Sequence, residues 1–543
     1  MNFLYSRYCR KCCFVALMTL APLGVLSAAQ AADTFYTGAN NGDWDTASNW
    51  STGAVPGGTD DVFNTTANTV SHTSLAADTV KSLSFTGTGG LALSGNGSIA
   101  GSQLNQGSLF SIAGPVTLNA GTLDNLSIKN SNGIKFSNGY AGANTLQDVS
   151  LDGGLNVGGA GTTGADQSAM NIVGTFQHGA GAVFNLGHYG LINFSSDYTL
   201  DNATLHSVAT HFDSPNVYGT NGTTLTLGPN LTVSGTDLSI NTGGSLINNT
   251  TLLSSQGGYH SWYVQPTQHS LTNNGTIGAM NANSQMIIYA NSFTNTGTLE
   301  SLAKGYVFIS AQGDTPIAPT NNGIVNVGAG STMILEHADL VQTAGSTVVD
   351  GTLTIREPGA YPDPPTAPYA FALQGGSLSG TGTISGNVTN TGGTIRPGDS
   401  PGMLTISPVA PGAGGNYTQG AGGTFAEILG GTNAGQFSVL NVAGAASLAG
   451  SLSIELFGGF TPTVGQSFTF LDYGSQSGQF GGPGGLFYDG RGDSYTVNYG
   501  ATSASLTVAS LAAVPEASSA LGMGLLLTLG GLAIAVRKRR VQA

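Results

Sequence analysis

Along much of the chain apolar residues alternate with small polar ones, and clusters of Asn, Gly and Thr interrupt the alternation. Thr352-Leu353-Thr354-Ile355, Val439-Leu440-Asn441-Val442 and Ser447-Leu448-Ala449-Gly450-Ser451-Leu452-Ser453-Ile454 show it. A period of two puts apolar side chains on one face of a β-strand and polar ones on the other. The interruptions recur. Leu246-Ile247-Asn248-Asn249-Thr250 is followed by Leu271-Thr272-Asn273-Asn274-Gly275, Phe293-Thr294-Asn295-Thr296-Gly297 and Thr320-Asn321-Asn322-Gly323. Val388-Thr389-Asn390-Thr391-Gly392 echoes them. The first Asn of each phrase stands at 248, 273, 295, 321 and 390, so the steps are 25, 22 and 26, and the last, 69, is three times 23. A loose period in the twenties marks a solenoid. Leucine-rich repeats would need a strict Leu consensus, and propeller blades about forty residues; neither pattern is present. The expectation is an all-β chain wound as a parallel β-helix. Asn and Gly, which tolerate left-handed backbone angles, would turn its corners. Equivalent Asn side chains would form a hydrogen-bonded ladder along the stack.

Composition supports this reading. Of 543 residues 84 are Gly and 42 carry charge, while 40 % are hydrophobic. Wholesale disorder would pair high charge with low hydrophobicity, collagen would place Gly at every third position, and abundant Gly, Ser, Thr and Asn oppose helix.

Both ends read as addresses. Residues 1–32 combine Arg7, Arg10 and Lys11 with the apolar stretch Cys12 to Leu26 and small residues to Ala32, the pattern of a secretory signal. All three cysteines, Cys9, Cys12 and Cys13, lie there. At the other end, residues 513–543 contain Val514-Pro515-Glu516, an apolar run from Ala517 to Val536, and Arg537-Lys538-Arg539-Arg540. Twenty residues is about the length of one transmembrane helix, and the basic cluster belongs on the cytoplasmic side. This three-part tail resembles the PEP-CTERM sorting signal of Gram-negative bacteria, although Ala517 stands where the second Pro of the box is most common. The resemblance implies an exosortase-type processing enzyme as partner. An ordinary anchor that is never processed is the alternative. The expected location is an inner-membrane-anchored precursor with a periplasmic body, then the cell surface or extracellular matrix.

Without those ends, seven basic residues face 27 acidic ones (28 less Glu516), a net charge of −20. Nucleic-acid affinity comes from Lys and Arg meeting phosphate, so nucleic acid is excluded as a partner.

Residues 33–70 are expected to cap the solenoid. Trp44 and Trp50 lie in Gly42-Asp43-Trp44-Asp45-Thr46-Ala47-Ser48-Asn49-Trp50, ahead of Val55-Pro56 and Asp60-Asp61. The spacing resembles the opening of β-helical surface proteins, including autotransporter-like passengers. The competing reading is a carbohydrate platform, with Trp44, Trp50 and Trp262 as contacts. Repeats would fill residues 71–395. Residues 396–512 should form irregular β-rich rungs, because Arg396-Pro397-Gly398-Asp399-Ser400-Pro401-Gly402-Met403-Leu404 resembles the closing region of autotransporter passengers. The chain after Gly402 is too short for the membrane barrel that would follow there.

Chemistry is sparse. The seven basic residues are scattered, no local sequence indicates the paired carboxyls of a glycoside hydrolase, and no cofactor or metal is expected. His206, His211 and Asp213 read as a solvated loop, since the two histidines would face opposite sides of a strand. Tyr259-His260-Ser261-Trp262-Tyr263 with His269 reads as a packed loop between repeats. Arg491-Gly492-Asp493 reads as a turn. The functional expectation is an exported, non-catalytic surface or matrix protein, adhesin-like, associated with exopolysaccharide or biofilm. The alternative is a polysaccharide lyase or glycoside hydrolase on the same scaffold.

Overall fold

A computed structural model describes residues 33–74, 77–94, 98–101, 108–114, 116–130, 134–136, 144–158, 168–208, 215–256, 260–266, 269–311, 317–357, 369–398, 401–411 and 413–512. The proposed signal (1–32) and sorting tail (513–543) lie outside them. Over the described residues the chain is a parallel β-solenoid, with two short 3-10 turns, Ala47–Asn49 and Pro483–Gly485, as its helical content.

Each regular coil has three strands. Ser245–Asn248, Thr251–Ser254 and Ser261–Pro266 make one coil; Ser270–Asn273, Thr276–Ala279 and Gln285–Tyr289 make the next. Corresponding strands pair in parallel, giving three faces. On the second face nine strands stack from Gly42–Asp43 to Thr232–Gly235, and nine more from Thr251–Ser254 to Ser451–Leu456. Alternation fixes the register, because a one-residue slip would turn the apolar side chains outward. Inward residues join one continuous core running from Tyr36 to Val508.

The expected ladder forms at one corner. Asn248 Nδ2 donates to Asn273 Oδ1 (2.8 Å), Asn273 to Asn295 (2.7 Å), Asn295 to Asn321 (2.8 Å), and Asn321 to Gln342 Oε1 (3.1 Å). All five side chains are buried, where an unmet amide would be costly. Leu373 then occupies the register position, followed by Asn390 and Gln419. The wide interval between Asn321 and Asn390 is therefore three coils of unequal length, stepping through Gln342 and Leu373.

The reason for Asn and Gly at these corners differs from the expectation. Neither the ladder asparagines nor Gly275, Gly297 and Gly323 have positive φ. A Cβ on Gly297 would lie 2.0 Å from the Gly275 carbonyl oxygen, and one on Gly323 would lie 2.1 Å from that of Gly297. Glycine is needed there for close stacking, and Asn for its amide. Left-handed corners occur elsewhere: Asn125 (φ 52°), Asp148 (50°) and Gly174 (68°) succeed one another over three coils.

The two ends close differently. Asp33–Phe35 already pairs in parallel with Asp61–Asn64, and Gly42–Asp43 with Val70–His72, so residues 33–70 form coils themselves. Parallel pairing persists through Ser451–Leu456. Ser467–Gly478 then pairs in parallel with Val439–Leu448 and antiparallel with Ser503–Ser510. Ser494–Tyr499 and Leu486–Tyr488 complete an antiparallel ribbon. The alternating stretch 447–454 is two strands, divided at Gly450 (φ 68°).

Candidate binding face

The third face carries an outward patch of aromatic and branched side chains. Register aligns Tyr263, Ile287, Phe308 and Ile334 in one column across four coils. Tyr289 and Glu336 lie in the neighbouring column, with Arg356 next to Glu336. Tyr306 flanks Phe308 on its own strand, their rings near parallel at 6.5 Å, and Tyr289 meets Phe308 edge-on at 6.0 Å. The inward residues of these strands, Trp262, Val264, Met286, Ile288, Val307 and Ile309, are buried. The outward ones are half-buried, because each is flanked by its neighbours one coil away. At a coil spacing of about 4.8 Å, four coils span roughly 14 Å along the axis.

Electrostatics keep the patch neutral apart from one ion pair. Arg356 Nη2 and Nε donate to Glu336 Oε1 at 2.6 and 3.0 Å. Burial, then the charge of Glu336, raises the Tyr306 hydroxyl above the ordinary tyrosine range; burial, then Tyr263 and Glu336, does the same for Tyr289. Both hydroxyls therefore remain hydrogen-bond donors. Amphipathic rings with a polar tip suit a surface that is apolar at its centre and wet at its rim.

The indoles proposed as sugar contacts have no free face. Trp44, Trp50 and Trp262 are 0, 2 and 2 % exposed. Trp44 and Trp50 pack edge to face at 4.8 Å, and Trp50 Nε1 donates to the Trp44 carbonyl at 2.7 Å. Trp262 is a core residue on a strand. The loop expected around it is instead Ser261–Pro266, whose Trp-Tyr-Val-Gln sequence has the strand period. Its neighbour His260 places Nδ1 2.7 Å from Asp237 Oδ2, while Asp237 Oδ1 accepts the Ser261 N–H.

His206 lies on the strand Ala203–Ser207, with Nδ1 2.8 Å from Ser234 Oγ; His211 and Asp213 lie outside the described residues. In Arg491-Gly492-Asp493, Asp493 is buried and accepts the Ala512 N–H, while Asp489 receives the N–H groups of Arg491 and Asp493. That segment is a structural turn. Val514, Pro515, Glu516, Arg537, Lys538, Arg539 and Arg540 lie outside the described residues.

Many carboxylates serve the backbone. Asp148, Asp197, Asp201, Asp237, Asp339 and Asp350 accept the main-chain N–H of Thr175, Thr224, Asn230, Ser261, Ala370 and Thr381, each about one coil further on. They satisfy corner donors that the ladders leave unpaired. At Asp201 burial opposes ionisation, but hydrogen bonds from Asn230 and Asn202 outweigh it and lower its pKa.

No protein-family model matches the chain, and a search of curated proteins gives no match.

Proposed function

We propose that this protein is an exported, non-catalytic surface or matrix protein, sorted through its C-terminal tail, whose third face binds neutral exopolysaccharide. The observation that carries the reading is the aromatic patch of Tyr263, Tyr289, Tyr306 and Phe308, displayed over successive coils. Stacked rings offer a polymer a repeated apolar contact, and the flanking Thr and Ser hydroxyls offer hydrogen bonds. Individually weak contacts then add through multivalency. A net charge of −20 between the two proposed signals disfavours acidic polymers. The use of six carboxylates as backbone acceptors supports a structural role for the acidic residues.

Binding to the cell's own polysaccharide tests the reading. Tyr289→Ala combined with Phe308→Ala removes two ring contacts of about 0.5–1.5 kcal/mol each, so affinity should fall on the order of tenfold with an unchanged circular dichroism spectrum. Equal binding by the variant would refute the face. New reducing ends or unsaturated sugars would instead support the lyase or hydrolase alternative. Sorting is tested separately with a tag at each terminus: the C-terminal tag should leave the mature body, and its retention would refute processing.

A further inference from the structure

A second cluster lies at the N-terminal end, far along the sequence from the aromatic face. Asp45 follows the strand Gly42–Asp43, His72 ends Val70–His72, and Asp78 lies on Ala77–Val80. One ligand atom from each falls within 4.8 Å of the other two. His72 is 0 % exposed and places Nε2 2.7 Å from Asp78 Oδ2, while Nδ1 has no hydrogen-bond partner. Nε2 is thus the ring nitrogen that faces the carboxylates. Asp78 is 21 % exposed, and Asp45 is likewise half-buried, so the cluster opens to solvent on its carboxylate side.

We propose that Asp45, His72 and Asp78 bind a divalent transition-metal ion, with zinc the best fit, and that the ion staples the first coil to the second. Two carboxylates brought together repel unless a proton or a cation lies between them. A dication lying among the three ligand atoms relieves that repulsion. Imidazole and carboxylate are both zinc ligands, and three protein ligands leave a fourth position for water. Calcium and magnesium prefer sites made entirely of oxygen. Asp45 follows a strand of the first coil, whereas His72 ends the strand stacked on it and Asp78 lies beyond that. One ion would therefore tie the first described coil to the second. The inference is independent of the proposed polysaccharide face.

Titrating the chelator-treated full chain with Zn2+, and separately with Co2+, tests it. The expected result is saturable 1:1 binding, a visible Co2+ ligand-field spectrum and a raised unfolding midpoint with zinc. Asp45→Asn provides the decisive comparison, because without metal it removes a like-charge contact and should unfold no earlier than the wild type. With zinc it should lose the midpoint shift and bind at least tenfold more weakly. His72→Gln should likewise lose the cobalt spectrum. Absence of stoichiometric binding by the wild type, or a zinc shift that survives intact in Asp45→Asn, would overturn the proposal.

Discussion

Glu427 shows how much a single residue can impose on this core. It is 0 % exposed and neither carboxyl oxygen has a hydrogen-bond partner; the adjacent Ser438 N–H is committed to the Ile428 carbonyl. Burial raises its pKa well above the ordinary value, more than the Ser438 backbone lowers it. The folded chain therefore retains a proton that the unfolded chain releases above about pH 4.3. The associated stability is fully present below that value and is lost as pH rises through the raised folded pKa. Glu427→Gln, uncharged at every pH, should unfold at higher denaturant than the wild type at neutral and alkaline pH. The two should converge in acid, as read from urea midpoints across the range. The sequence carries the signal: in Thr424-Phe425-Ala426-Glu427-Ile428 a period of two puts Glu427 on the same inward face as Phe425. The strand's burial pattern departs from alternation after Phe425, and its end pairs antiparallel with the segment around Ser438 through the Leu429–Phe437 bridge.

At the scale of the strand and corner, most of the fold was legible. Alternation located Thr352–Arg356 and the start of Val439–Leu448, and the Asn phrases carried the coil length and the ladder. The role of the corner glycines was not legible, because a sequence does not distinguish a Gly with positive φ from one pressed against the coil below. Gly297→Ala should cost about 3 kcal/mol or more, since backbone carbonyl oxygens cannot retreat from a 2.0 Å approach. Gly490→Ala, with nothing within 4 Å and no positive φ, should be near neutral. Hydrogen exchange should localise the Gly297→Ala damage to Ser292–Asn295, Thr298–Ser301 and the adjoining coils. The aromatic face was half-legible. Tyr263 stood out in a dense aromatic stretch, whereas Ile287, Phe308 and Ile334 follow it once per coil. They recur with the same spacing in the twenties as the Asn phrases, but at outward positions. The Asp45, His72 and Asp78 cluster has no such signal, since its members meet across coils at irregular corners.

For the whole molecule the ends decide solubility. A solenoid leaves an unpaired strand at each terminus, and uncovered edges recruit other chains. Here the antiparallel ribbon formed by Ser467–Gly478, Leu486–Tyr488, Ser494–Tyr499 and Ser503–Ser510 covers the C-terminal edge. Ending the chain after Leu456 should leave the earlier coils folded while exposing Val439–Leu448. Light scattering during size-exclusion chromatography should then show concentration-dependent oligomers, and a monodisperse truncation would contradict this capping role. The turn from parallel to antiparallel pairing has no clear sequence mark, because both kinds of strand share the same alternation. It follows from where the chain stops coiling, which depends on partners far away in sequence.

Stacking by neighbours alone also gives the protein a particular mechanics. Each coil is bonded only to the one above and the one below, so tension applied at the two ends need not rupture the whole core at once. A coil measured between successive ladder asparagines would release roughly 75–90 Å of extended chain as it detaches. A molecule tethered at a cell surface would yield in successive steps under shear, dissipating work at each one while the remaining coils keep their grip.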